Sequence, residues 1–154
     1  MGEGMSLGFD NILNQVVSHA LAVGLFDQVN SHEPKSAPGN GLTAAIWVDY
    51  IGPTKSGLAS TTGKLILKIR LYSSMLQEPQ DAIDPELTNA VDVLLSAYSG
   101  DFDLGANVRN IDLLGATGIP LSAQAGYLHQ DVTYYRVFDI TLPCIINDIW
   151  IQIA

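Results

Sequence analysis

The most reactive side chains in this sequence are three histidines and one cysteine: His19, His32, His129 and Cys144. Imidazole can serve as a general base or a metal ligand, and a thiolate as a nucleophile. The spacing withholds those roles. The histidines are spread too widely for a metal-binding helix motif. His19 falls near the polar boundary of a helical pattern, as a surface or interface residue, and His32 and His129 fall in loops. With Cys144 they form no recognisable Cys/His pair, and no G-x-S-x-G elbow is present. The run Gly57-Leu58-Ala59-Ser60-Thr61-Thr62-Gly63-Lys64 has the composition of a phosphate loop. Its glycines are one residue too far apart, Leu65 stands where Ser or Thr would hold Mg²⁺, and a strand follows where a helix N-terminus is required. It reads as a hairpin tip.

Carboxylates cluster at Asp81, Asp84 and Glu86 and again at Asp101 and Asp103. An acid–base pair needs one member shielded enough to raise its pKa. Asp84 and Glu86 are better suited to starting a helix. Asp101 and Asp103 lack the alternating ligands and closing Glu of a calcium loop. Both clusters are expected to be solvated. The sequence therefore points to no catalytic, cofactor-binding or metal-binding residue.

Composition narrows the class further. The chain has 154 residues, 47% of them hydrophobic, with 16 Asp and Glu against 7 Lys and Arg, a net charge of −9. One domain of this length, 1–154, buries roughly 70% of its unfolded surface and needs no staples. Cys144 stands alone in an apolar run, as a small core residue does. Tight phosphate binding needs clustered cations, which are missing. No apolar run reaches membrane-spanning length, so no membrane partner is expected. Met1 to Gly8 lacks a charged n-region and an h-region, so folding in a cytoplasm is expected.

The elements follow from periodicity. Phe9, Ile12, Leu13, Val16, Val17, Ala20 and Leu21 lie on one stripe, predicting a helix over about Gly8 to Val23 that ends near Gly24. Residues 30–41 read as a connector. Ala44 to Ile51 and Lys64 to Tyr72 read as strands. In the second, Leu65, Leu67, Ile69 and Leu71 face a core, and Lys64, Lys68 and Arg70 the other side. The two strands form a projecting hairpin, about 46–72, with its tip at Pro53 to Thr62. A second helix starts with Asp84 as cap and Pro85 at the first position, buries Leu87, Ala90, Val91, Leu94 and Tyr98, and stops at Gly100. Val108 to Leu114 and Tyr134 to Leu142 are further strands, with a short one between them near Tyr127. The C-terminal tail, 144–154, is apolar, with alternation at Ile149, Ile151 and Ile153. Either it packs on its own domain as an edge strand, or it docks on a neighbour. Trp47 is either a half-buried sheet residue or an exposed interface anchor. The expected class is α+β: a mixed or antiparallel sheet of about four to five strands, with two helices packed on one face.

Several segments resemble a known family. Val17 to Asn30, with His32-Glu33-Pro34-Lys35-Ser36-Ala37-Pro38, is similar to the start of small tail-region proteins of actinobacterial phages. So are Gly57 to Ser60, Gln77 to Pro85, and Ala97 to Phe102. In size and element order the chain resembles the tail terminators of long-tailed bacteriophages. The resemblance implies a structural virion protein, assembled in the host cytoplasm and located at the head-proximal end of the tail. Such proteins form a homohexameric ring that caps the tail tube protein, ends its polymerisation and joins the head–tail connector protein. DNA passes through the lumen without specific binding. Six copies at −9 would carry about fifty negative charges, which would let DNA slide.

Ring contacts are expected from the hairpin tip at Thr54, Lys55, Leu58 and Thr61, from Lys68 and Arg70, and from Trp150 and Ile151. Lys68 and Arg70 are expected to meet Asp101 and Asp103 of a neighbouring copy. Three other readings stay open: a different connector or head-completion protein of the same phage, a small enzyme using His129 or Cys144, and a small-molecule binding module.

Overall fold

The computed structural model describes residues 7–31, 42–56, 60–74, 83–130 and 133–151. The first helix, α1, runs from Phe9 to Ala22 and buries Ile12, Val16 and Ala20. Gly24 follows with φ +69°, and its N–H donates to the Leu21 carbonyl. A left-handed residue closes the helix end here, which glycine does without a Cβ clash. The second helix, α2, runs from Ile83 to Gly100 and buries the expected stripe of Leu87, Ala90, Val91, Leu94 and Tyr98. Its start differs from expectation. Asp84 lies in the first turn rather than capping it, and its carboxylate accepts from Arg136 Nε at 2.9 Å.

Six strands form one mixed sheet: β1 (Gln28–Asn30), β2 (Leu42–Ser56), β3 (Ser60–Ser74), β4 (Asn110–Ile111), β5 (Ser122–Gln130) and β6 (Thr133–Ile151). The order is β1-β2-β3-β6, with β4 and β5 both on the far side of β6. Only the β1–β2 pair is parallel. The class is therefore α+β, with one strand more than the upper expectation. The addition is β1, three residues with no periodic signal.

Three boundaries differ from the sequence reading. The β2–β3 hairpin is longer, with strands reaching Ser56 and starting again at Ser60; residues 57–59, which join them, lie outside the described residues. The strand expected over Val108 to Leu114 shrinks to Asn110–Ile111, because Asp112 turns the chain. The Asp112 carboxylate accepts the N–H groups of Gly115, Ala116 and Thr117 at 2.8–3.0 Å. Finally, the apolar tail is no separate edge strand. Up to Ile151 it continues β6, with β3 alongside as far as Ser60 opposite Ile151.

Pro143 sits inside that continuous strand, where proline usually breaks a ladder. Its carbonyl accepts the Asp112 N–H at 2.9 Å. The N and O of one residue in an antiparallel strand point to the same side. The missing donor therefore lies on the side away from β3, between the end of β5 and β4, and the β3–β6 ladder is kept.

Both helices cover one face of the sheet. Ile12, Val16, Leu87 and Leu94 pack with Ile46, Leu67, Ile69, Ile140, Leu142 and Cys144, all sealed from solvent. Burying such side chains is worth about 1.5–3 kcal/mol each. The buried Tyr98 hydroxyl donates to the Val16 carbonyl at 3.0 Å, fixing one helix against the other.

Candidate functional site

The opposite face of the sheet carries alternate residues of the same strands: Trp47 on β2, Lys64, Ile66, Lys68, Arg70 and Tyr72 on β3, and Val137, Asp139 and Thr141 on β6. Among the described residues no helix packs here. A small second cluster, Ala45, Tyr72, Tyr135 and Val137 with Trp47 and Leu128, holds one end of this face. The Tyr72 and Tyr135 rings meet edge to face at 6.2 Å, a geometry that favours aromatic pairs. At the other end, Lys64 Nζ donates to the Thr117 carbonyl at 3.0 Å, so the turn organised by Asp112 closes over the sheet. Burial opposes ionisation of Asp112, but the Thr117 hydroxyl and N–H and the Ala116 and Gly115 N–H groups outweigh it. The carboxyl is held below the usual range.

Arg70 lies between these ends. Its guanidinium grips Asp139 with two bonds, Nε to Oδ1 at 2.5 Å and Nη2 to Oδ2 at 3.0 Å. It also lies 5.3 Å from the centre of the Trp47 ring. The bonds to Asp139 outweigh burial and push the Arg70 pKa up. Lys68 stands beside it, between Trp47 and Thr141, half-buried and with no carboxylate partner among the described residues. Trp47 is half-buried, on the face away from the main core.

Among the described residues, no strand pairs the outer edge of β2 beyond β1. Val48 and Ile51 lie on the helix side yet are 42% and 51% exposed, and Tyr50 on the other side is 43% exposed. Register shifts at Val48/Tyr50 and Pro53/Lys55 interrupt this edge. Irregularity and proline are devices that stop sheet edges from pairing indiscriminately.

The ends of β2, β3 and β6 form a three-stranded ribbon. Between the pairs Gly63–Ile146 and Thr61–Trp150, β6 has two extra residues, and Asp148 adopts φ +55°. This bulge sends both Ile149 and Trp150 into the main core cluster, where strict alternation would send one. Gly63 makes room: a Cβ there would collide with Ile149 Cδ1 and crowd the Trp150 ring. Thr54 lines a notch of about 460 Å³ with Thr62, Arg109 and Thr117. Thr61 is buried opposite Trp150. Trp150 is half-buried against its own core. Lys55 and Ile151 are described in backbone only, and Leu58 lies outside the described residues.

Asp101 and Asp103 lie on the helix side, past the end of α2. Asp101 is not simply solvated. Asp101 accepts from Gln15 Nε2 at 2.9 Å and from the Gly105 N–H at 3.0 Å. Its Oδ2 is 2.7 Å from His19 Nε2, whose ring meets Tyr98 edge-on at 5.5 Å. The His19 contact above all holds the Asp101 carboxyl below its ordinary range. Neither Arg70 nor Asp101 therefore lacks a partner within the chain, which the sequence reading did not foresee.

The other reactive groups are set apart. Cys144 is sealed in the core, and burial pushes its thiol up to about 12. His129 stacks on Tyr134 at 4.3 Å. Tyr134 is ten residues along β6 from Cys144, roughly 30 Å in an extended strand. Among the described residues no group of three or more His, Cys, Asp or Glu is placed to hold a metal ion. No helix among them is long and apolar enough to cross a membrane.

No family model matches this chain. No curated protein sequence matches it either.

Proposed function

We propose that the protein is a structural component of a long-tailed phage virion, a tail terminator whose copies form a closed ring on the tail tube. The observation that carries this reading is the uncovered sheet face, with Trp47, Lys68 and Arg70 on it and an open, partly apolar β2 edge beside it. An antiparallel sheet commonly leaves one face to solvent, so it is the grouping of Trp47, Lys68 and Arg70 beside that edge that suits a partner, and a ring requires two different surfaces on every copy. The order of helix, long hairpin, helix and further strands agrees with the resemblance drawn from the sequence. On this reading the ring ends tube growth stoichiometrically and receives the head–tail connector protein on its other side. DNA passes through an acidic lumen.

Electron microscopy of the full chain at high concentration, and of tails assembled with it, tests the proposal. The expected result is a closed ring at one tail end, with tails growing to uncontrolled length when the chain is omitted. A chain that stays monomeric in solution and is missing from assembled tails would sink it. A ring with Lys68 lining the hole would overturn the acidic lumen alone.

A further inference from the structure

Charge is divided between the two layers. Residues 9–31 hold two carboxylates and residues 83–108 hold five, and neither stretch holds a Lys or Arg. These segments are the helix layer. Asp84 is paired with Arg136 and Asp101 with His19. Asp10, Asp27 and Asp92 are exposed and have no cation partner among the described residues. On the other side of the sheet, Lys64, Lys68 and Arg70 lie in a row at alternate positions of β3 or two steps apart, with Asp139 the one carboxylate bonded among them. One molecule thus carries an acidic surface and a basic surface back to back.

We propose that the uncovered sheet face of one copy seats on the helix layer of the next, with Lys68 facing Asp92. This rests on the ring reading and specifies its contact. Opposite charge on opposite faces selects a front-to-back arrangement and disfavours front-to-front and back-to-back pairs, where like charges meet. A front-to-back contact is heterologous, which builds a ring when the rotation from copy to copy closes and an open filament when it does not. Arg70 contributes shape more than net charge, because Asp139 already neutralises it. Trp47 and Tyr50 supply the flat apolar area around the lysine. Duplex DNA is a poorer occupant: three cations, one of them neutralised, on a chain of net charge −9 would release few counterions.

The test uses the full chain with Lys68→Glu, Asp92→Lys and both together, followed by native mass spectrometry and light scattering. Each single substitution places like charges across every contact. The concentration for half-assembly should rise at least about tenfold, with the thermal unfolding midpoint unchanged. The double variant, and an equimolar mixture of the two single variants, should assemble as the unsubstituted chain does. Single variants that assemble normally would overturn this contact while leaving the ring intact. Loss of assembly that the double variant fails to restore would overturn the Lys68–Asp92 pairing. Retardation of duplex DNA by the unsubstituted chain, abolished by Lys68→Glu, would assign the face to nucleic acid instead. An unsubstituted chain that forms no ring, alone or on tails, would overturn the ring reading itself.

Discussion

Leu67 and Lys68 are neighbours in β3, yet Leu67 is sealed beneath the helices and Lys68 stands on a face that no helix covers. The same contrast repeats at Ile69 and Arg70, and at Ile140 and Asp139. The covered face is aliphatic and continuous, so it supplies the burial that folds the chain. The uncovered face mixes a cation pair, aromatic rings and a salt bridge, with Tyr72, Tyr135 and Val137 buried at one end and Ile66 toward the other. Folding is thus assigned to one set of alternate residues, and on the proposed reading association falls to the other set of the same strands. Substitution on one face should be felt in stability, and on the other chiefly in assembly.

The largest effect that would break this division is at the covered face. Leu67→Ala should cost about 2–5 kcal/mol in chemical denaturation, since the helices cannot fully collapse onto the cavity. A cost as small as that of an exposed site would show that the core lies elsewhere. Next is Asp112→Asn. The turn over the uncovered face would lose charge-assisted bonds to part-buried N–H groups, about 1–3 kcal/mol. The pH dependence sharpens this. Because the folded carboxyl titrates below its ordinary value of roughly 4, its contribution is complete above that pH and is lost as pH falls through the folded value. Stability measured from pH 5 downward should therefore fall less steeply in Asp112→Asn than in the unsubstituted chain. An identical slope would mean that the turn does not depend on the charge. The smallest effect is the Arg70–Asp139 pair. Both side chains are about a quarter exposed, so a double-mutant cycle with Arg70→Met and Asp139→Asn should give a coupling of about 1 kcal/mol or less. A much larger coupling would make this pair part of the core rather than of the surface.

Much of this arrangement was legible in the residues, and the exceptions have physical causes. The helices and β3 were readable because each buries one side, and a half-buried element repeats at 3.6 or 2 residues. The Lys64, Lys68 and Arg70 row was visible for the same reason. Its partner Asp139 lies within the expected strand Tyr134 to Leu142, but only the β3–β6 register places it opposite Arg70. β1 left no trace, since three residues beside a longer strand need no pattern. Pro143 hid the continuity of β6, because a proline is tolerated there only through the direction of its absent N–H. Two extra residues near Asp148 defeated the alternation read at Ile149 and Ile151. The His19–Asp101 contact spans 82 positions and exists only because the end of α2 reaches α1. The Asp112 turn had a signal that could have been followed: an aspartate just ahead of Gly115, Thr117 and Gly118, a composition that favours side-chain capping of a turn.

The length of β6 has a mechanical consequence. Nineteen residues of one strand, roughly 60 Å end to end, run from the aromatic cluster to the tip of the ribbon with β3 bonded alongside. A load applied at the tip acts parallel to the strands. The rungs between β3 and β6 then share it together, as in a lap joint, instead of parting one after another as in a zip. A tug delivered at the tip would reach the body of the domain without first peeling away its outermost rungs.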